Sequence, residues 1–113
     1  MRDGGEVMKS NPLTETTFYI LLALASEPLH GYGIIKKVEI LSDQSIVLAA
    51  GTLYGALDNL KKSKLIEQMS TEDNSRRKVY CLTKDGKEVL KNDYMRIKKL
   101  CFVAKNILEK EDN

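Results

Sequence analysis

The sequence predicts a mainly helical domain in which three helices are followed by a small β-hairpin and one long last helix. Three observations predict this fold class. Apolar residues recur at helical spacing in three successive segments of the N-terminal half. Two short runs of strand-forming residues flank a polar cluster of turn formers. Neither glycine nor proline interrupts the chain after Gly86.

The composition suits one globular domain with a single core. The chain has 113 residues, of which 42% are hydrophobic and 30% charged. Its net charge of +2 excludes a histone-like tail and an acidic disordered segment. The longest apolar run is far shorter than the roughly 20 residues of a membrane-spanning helix. One His and two Cys are too few for a four-ligand zinc site or a disulfide scaffold, so we expect a cytoplasmic protein without metal or other cofactor.

The first helix is predicted to be buried on several sides. Residues 1–11 carry charges of both signs and no apolar stretch, so we expect a flexible tail there. The helix then begins with Thr14 as its N-cap and runs to about Ser26. Its apolar residues cover more than one face. One side is expected to face a second subunit through Phe18, Leu21 and Leu22.

Pro28 ends that helix and separates it from a second helix over residues 32–41. Tyr32 is expected to lie in the core. The connector over residues 42–50 contains an apolar run at residues 46–48, where β-branched side chains favour a short strand. The predicted core face of the second helix consists of Ile34, Ile35, Val38 and Leu41.

The third helix, which begins near residue 50, has an unusual outer face. Its buried stripe is predicted at Leu53, Leu57 and Leu60, which recur at i, i+4 and i+7. Two glycines in one short helix cost about 1 kcal/mol each relative to alanine, which indicates that something approaches the backbone closely. The opposite face is small and polar, and consists of Gly51, Thr52, Gly55 and Asn59.

Strands over residues 65–71 and 78–82 form the predicted hairpin, with a polar turn between them. Thr83 is the predicted N-cap of the last helix, which continues to about Lys110. The hairpin tip carries the cations Arg76, Arg77 and Lys78.

The last helix carries two apolar rows, one of them spaced as the heptad seam of a coiled coil. Together the rows are too apolar to be covered by one small domain, and they predict a homodimer. The seam consists of Leu90, Tyr94, Ile97, Cys101, Ala104 and Leu108, and the second row of Leu100, Val103 and Ile107. All of these except Leu90 and Val103 are assigned to the dimer interface. Cys101 is interpreted as a small buried hydrophobe rather than a redox centre.

This order of elements is typical of a winged helix-turn-helix domain, here over residues 12–83, followed by a dimerisation helix over residues 84–113. In such folds the second helix of the motif lies in the major groove, and a basic hairpin contacts the phosphate backbone or minor groove. Thr52, Gly55 and Asn59 are therefore candidates for base contacts. The candidates for phosphate contacts are Lys61, Lys62, Arg76, Arg77 and Lys78.

Four motifs resemble, in order, those of the PadR family of transcriptional regulators: LHGYGI at 29–34, GTLYGAL at 51–57, RRKVY at 76–80 and LTKDG at 82–86. The resemblance covers about residues 13–110, and the single short last helix is similar to the smaller PadR subfamily. It implies a DNA-binding homodimer, usually a repressor, that leaves a pseudo-palindromic promoter operator when a small-molecule effector alters the dimer. It also assigns the Tyr54 hydroxyl to a phosphate.

The sequence departs from the family pattern in two places. Many members cap the recognition helix with a serine where this chain has Ala49 or Ala50, so the cap must come from backbone or water. Some members sandwich flat aromatic drugs between tryptophans, and this chain has no tryptophan.

Two other function classes remain open at this stage. A winged-helix module that binds another protein would place large apolar anchors on the third helix, where this chain has glycine, threonine and asparagine. An enzyme is the weakest interpretation, because no phosphate loop, metal spacing or nucleophile with a base occurs. His30 is accordingly assigned to the start of the second helix or to a phosphate. Asp58 is expected to pair with Lys61 or Lys62.

Overall fold

In a computed structural model, residues 11–69 and 78–110 can be described. The described residues form four helices and three strands. The helices and the two hairpin strands follow the predicted order, which confirms the fold class. Most of the expected N-terminal tail, and the hairpin tip with Arg76 and Arg77, lie outside the described residues. The elements are α1 (Glu15–Ser26), β1 (Leu29–His30), α2 (Gly31–Leu41), α3 (Ala50–Lys62), β2 (Ile66–Met69), β3 (Val79–Leu82) and α4 (Lys84–Leu108).

Side-chain caps fix the starts of three of these helices. The Thr14 hydroxyl accepts the Thr17 N–H at 3.1 Å, and the Thr83 hydroxyl accepts the Gly86 N–H at 3.0 Å. His30 caps α2 through Nδ1, which accepts the Gly33 N–H at 3.2 Å, so that helix begins one residue earlier than predicted. Thr14 and Thr83 are confirmed as N-caps, and His30 has the predicted place at the start of a helix.

The sheet has three strands rather than the two of a simple hairpin. Strand β3 lies in the centre, with β1 and β2 antiparallel on either side. The pairing aligns Tyr80 with Leu29 on one side and with Gln68 on the other. Strand β1 has only two residues, too few for periodicity to indicate a strand in the sequence.

The strand predicted at residues 46–48 is wrong. The Ile46 N–H donates to the Ser42 hydroxyl at 3.0 Å. This backbone donor is therefore bound to the residue that ends α2 and not to a neighbouring strand. Leu48 is buried and Val47 is 69% exposed. Leu48 belongs to the core and Ile46 packs against it, but the run pairs with no described strand.

The core is built around α1, which buries Ile20, Leu21, Ala23 and Leu24. Leu21 has no exposed surface within one chain, so its assignment to the dimer interface is wrong. By contrast, Phe18 is half-buried and Leu22 is 37% exposed, so both reach the surface of the domain. The core is completed by Ile34, Val38, Leu48, Leu53, Leu57, Leu60, Ile66, Tyr80 and Leu90.

Helix α2 buries a narrower face than expected. Ile34 and Val38 are buried as predicted and Ile35 is half-buried, whereas Leu41 is exposed. Tyr32 is 65% exposed, so its prediction as a core residue is wrong. The reason is helical periodicity, because position 32 points away from the face that carries 34 and 38.

The end of α3 and the start of α4 are joined through one tight turn. Lys64 has a φ of 64°, and the Leu65 N–H donates to the Leu60 carbonyl at 3.0 Å, as in a Schellman motif. Thr83 then holds this turn twice: its hydroxyl donates to the Lys64 carbonyl at 2.8 Å and its N–H to the Leu65 carbonyl at 3.0 Å. A side chain on Gly86 would collide with that same Leu65 carbonyl.

A buried carboxylate of α4, Asp93, ties that helix to the segment just before α1. The Asp93 carboxylate is 6% exposed and accepts two hydrogen bonds from Arg96, at 2.8 and 3.3 Å. Arg96 holds the pKa of Asp93 below its ordinary range against the opposing effect of burial, and a hydrogen bond from the backbone of Leu13 lowers it further. From Ile97 onward every residue of α4 is exposed, so the helix leaves the body of the domain there.

We expect Gly86→Ala to lower the free energy of unfolding by about 1–3 kcal/mol, because a backbone carbonyl in a tight turn cannot move aside for the new methyl group. Urea unfolding followed by circular dichroism measures this. Gly55→Ala is the matched control, since a methyl group there meets no atom within 4 Å. The control should be neutral or stabilise by up to about 1 kcal/mol. Equal effects of the two substitutions would contradict the contact at Gly86.

Candidate nucleic-acid interface

Helix α3 presents the small, polar outer face that its sequence predicts. Leu53, Leu57 and Leu60 are buried and hold the helix on the core. The predicted burial of these three residues is confirmed. Thr52, Gly55 and Asn59 lie together on the exposed side, at i, i+3 and i+7.

Nothing within the described chain explains the two glycines of α3. A Cβ built on Gly51 or Gly55 meets no atom within 4 Å, and neither residue has a positive φ. Their backbone is therefore open to a second molecule. The two glycines lower the helix propensity of α3 in return. This surface, defined by Gly51, Thr52, Gly55 and Asn59, is called the α3 face below.

The first turn of α3 has no side-chain cap. Ala49 is the N-cap residue, and it makes no side-chain hydrogen bond to the helix. Its carbonyl accepts the Leu53 N–H at 3.0 Å, so the helix starts regularly all the same. The helix begins at residue 50, which agrees with the predicted start near residue 50 or 51.

Tyr54 stands beside the α3 face and is 44% exposed. Its ring packs over Gly31, the first residue of α2, so closely that a Cβ there would lie 2.8 Å from the ring atom Cζ. Tyr80 lies near it in the core: burial raises the pKa of the Tyr80 hydroxyl above its ordinary range, and the nearby Tyr54 and Asp58 add to the increase. The hydroxyl of Tyr54 thus lies where α2 begins.

The candidate cations lie at the end of α3 and at the start of β3. Lys61 Nζ donates to Gln68 Oε1 at 3.3 Å, which ties the helix to β2. Lys62 and Lys78 are exposed. Among the described residues Lys61 thus donates to Gln68, and the expected ion pair with Asp58 is not found. Since Arg76 and Arg77 lie outside the described residues, their assignment stays a prediction.

Sequence reasoning missed one pair of exposed side chains at the start of α2. Lys36 Nζ lies 5.9 Å from the centre of the Tyr32 ring, one helical turn away. The spacing of four residues between an aromatic and a lysine is the signal that indicates such a pair. Both side chains are exposed on the helix that precedes α3.

A second surface, apolar rather than polar, lies along α1 and α4. Phe18 and Leu22 line two neighbouring depressions of about 490 and 420 Å³. Tyr94 and Ile97 of α4 line these depressions as well, and farther along α4 Leu100 and Ile107 are each 56% exposed. We call this the apolar α1/α4 surface. Its α4 part carries the side chains predicted for the dimer interface, Tyr94, Ile97, Leu100, Cys101, Ala104, Ile107 and Leu108, all of them exposed.

The described parts of the chain show no other kind of site. Within residues 11–69 and 78–110, no three acidic, His or Cys side chains come together in a way that would hold a metal ion. Nor does any helix in this part combine the length and apolarity that crossing a membrane requires.

Residues 20–92 match the family described as "Transcriptional regulator PadR-like family". The chain belongs to this family. The match covers most of the winged helix-turn-helix domain and the first part of α4, and it contains both the Gly31–Tyr54 contact and the α3 face. Members of the PadR-like family are transcriptional regulators rather than enzymes.

Solved structures of transcriptional regulators share this fold. A PadR family regulator from hypervirulent Clostridium difficile is 26% identical to this chain, with a TM-score of 0.70. The aligned region covers 84% of this chain and 99% of the Clostridium difficile chain. A transcriptional regulator from Clostridium thermocellum is 25% identical, with a TM-score of 0.71, and the alignment covers 92% of this chain and 96% of the other. Bacillus subtilis PadR, in complex with operator DNA, is 25% identical, with a TM-score of 0.61. That alignment covers 70% of this chain and 46% of the Bacillus subtilis chain.

One curated relative has a higher identity over a shorter region. An uncharacterised 37.1 kDa protein in a transposon of Streptomyces fradiae is 39% identical over 74 residues, which is 66% of this chain. This chain spans only 20% of the length of that relative. The similarity is therefore to one part of a larger protein.

Proposed function

We propose that this PadR-like chain is a sequence-specific DNA-binding regulator in which the α3 face reads bases in the major groove. The α3 face carries this proposal, because Gly51 and Gly55 leave the helix backbone open where no residue of the described chain needs the space. The major groove is about 12 Å wide and admits a helix whose outer residues are small or polar. Thr52 and Asn59 supply hydrogen-bonding groups for base edges beside these glycines.

The phosphate contacts come from the margins of that face. Lys61, Lys62 and Lys78, with Arg76 and Arg77 of the hairpin tip, supply cations on the side of the wing, and Tyr54 supplies a hydroxyl on the side of α2. The operator complex of Bacillus subtilis PadR supports DNA as the partner of this chain, since the two share fold and family. Residues 12–83 form the DNA-binding unit in this proposal.

A homodimer joined through the apolar α1/α4 surface completes the proposal. Residues 84–113 act as the dimerisation helix. A row of exposed apolar side chains along half of a helix is unusual on a monomer, and a second copy would cover it. Two-fold symmetry then gives two α3 faces on one side of the dimer and an operator with two related half-sites.

We further propose that the dimer acts as a repressor whose DNA affinity changes when a small molecule binds. An effector shifts such an equilibrium only by binding one arrangement of the dimer more tightly than another. The depressions beside Phe18 and Leu22 lie where the two copies would meet, so a molecule bound there would favour one arrangement.

Selection from a pool of random-sequence duplexes tests the DNA proposal without assuming any operator sequence. We expect an enriched duplex with dyad symmetry and half-sites about 10 base pairs apart. On that duplex, Lys62→Ala should weaken binding to every sequence and reduce the slope of log affinity against log salt by about 0.9. Asn59→Ala should instead relax the choice of base at one position in each half-site.

Lys99→Ala is the control for charge alone, since Lys99 is exposed on the part of α4 that leaves the domain. It should leave both affinity and salt slope unchanged. Equal weak binding to all duplexes in the pool would contradict the proposal and favour a module that binds another protein.

Ile107→Glu should convert the dimer into a monomer, because it places a charge in the apolar contact between two α4 helices. Mass in solution, measured by light scattering, gives the result. Asn106→Glu adds the same charge on the opposite face of α4 from the heptad seam, and should leave the dimer intact. If both variants keep the mass of the unmodified protein, the apolar α1/α4 surface is not the dimer interface.

A further inference from the structure

Position 31 requires glycine because there is no space for a side chain, and not because of its backbone conformation. None of the described glycines has a positive φ, so an L side chain fits the backbone at position 31 without strain. The residue is buried at the first position of α2. A Cβ there would overlap the Tyr54 hydroxyl and lie 2.8 Å from Cζ and 3.3 Å from Cε1 of the same ring. Its three nearest neighbours thus all belong to one side chain.

This contact joins the two helices of the helix-turn-helix. Gly31 begins α2, Tyr54 belongs to α3, and the first turn of α3 has no side-chain cap to fix it further. Strand β3 contributes the buried Tyr80 nearby, whose hydroxyl has its pKa raised by burial and further by Tyr54. The Tyr54 hydroxyl therefore lies against the start of α2, beside the α3 face.

Gly31 and Gly86 are crowded by different kinds of atoms. At Gly86 the obstacle is a backbone carbonyl, which can move only if the turn moves. At Gly31 it is the tip of a side chain that is 44% exposed. A methyl group at position 31 can therefore push the tyrosine outward into solvent while the helices stay in place.

We propose that Gly31 is a positioning residue for DNA binding, in which the space left by its missing side chain places the Tyr54 hydroxyl against a phosphate. This rests on the proposed function, and extends it by a residue that does not itself need to touch DNA. Gly31 acts through the tyrosine alone. Its substitution and the loss of the hydroxyl must therefore have the same effect, and must not add.

A double-mutant cycle on the selected duplex tests this directly. A hydrogen bond to a charged group contributes enough that its loss weakens binding about tenfold or more. We expect Gly31→Ala and Tyr54→Phe each to weaken binding by about this factor, and the double variant to be no weaker than Tyr54→Phe alone. Losses that multiply would overturn the proposal, because Gly31 would then act by another route.

Gly33→Ala is the matched control, since it adds the same methyl group two residues later in α2. A Cβ there would meet Leu29 at an ordinary contact distance of 3.4 Å, and its N–H still donates to His30. We expect its affinity for the duplex to be unchanged. The midpoint of thermal unfolding should stay within a few degrees for both glycine variants. A large fall for Gly31→Ala would identify a structural role and overturn the proposal.

A readout without DNA separates this inference from the proposed function. In protein labelled with 3-fluorotyrosine, the fluorine resonance of Tyr54 is the one that disappears in Tyr54→Phe. We expect Gly31→Ala to shift it and Gly33→Ala to leave it in place. An unshifted resonance overturns the contact itself. A shifted resonance in a protein that selects no duplex overturns the role of both residues in DNA binding while the packing contact stands.

Discussion

The burial of α1 is the constraint on which the rest of the structure depends. This helix packs against α2, α4 and β3, so it joins the helix-turn-helix, the sheet and the long last helix. Ile20 and Leu21 are fully buried there. Once those faces are covered, only the edge that carries Phe18 and Leu22 stays at the surface. That edge forms part of the apolar α1/α4 surface.

Burial of α1 therefore links the two surfaces that the proposed function needs. The α3 face and the helix edge that a second copy would cover belong to one core, because Leu53, Leu57 and Leu60 of α3 pack in the same cluster as the buried residues of α1. Asp93 of α4 accepts a hydrogen bond from the backbone of Leu13 just before α1, which ties α4 to the domain close to where the helix leaves it. A change in how two copies meet would consequently change the separation of their α3 faces, which is the coupling that an effector requires.

Much of the fold follows from the sequence because its signals are local. Thr14 and Thr83 are helix caps, and the leucines of α3 form a stripe at helical spacing. Each of these signals can be recognised without knowing what the residues pack against. The assignment of Leu21 to the dimer interface was wrong because it depends on neighbours that are distant in the chain. Leu21 has the same side-chain character as Leu22, and only the position of the sheet and of α2 decides which of them is covered.

The candidate site divides in the same way. The small outer face of α3 can be predicted from spacing alone, since it is the complement of the leucine stripe. The contact between Gly31 and Tyr54 cannot, because the two residues belong to separate helices and their approach is set by how those helices pack. The strand predicted at residues 46–48 failed for a related reason: β propensity is expressed only beside a partner strand, and Ser42 takes the Ile46 N–H instead.

The distance between the two α3 faces of one dimer tests the account most directly. It can be measured by pulsed electron paramagnetic resonance with a spin label on Ser63→Cys, the exposed residue that ends α3 outside the α3 face. The labelled protein carries Cys81→Ser and Cys101→Ala and is bound to the selected duplex. The account predicts one narrow distribution centred near 35 Å, about one turn of the DNA helix. Absence of dipolar coupling, or a broad distribution without a maximum near that distance, would contradict it.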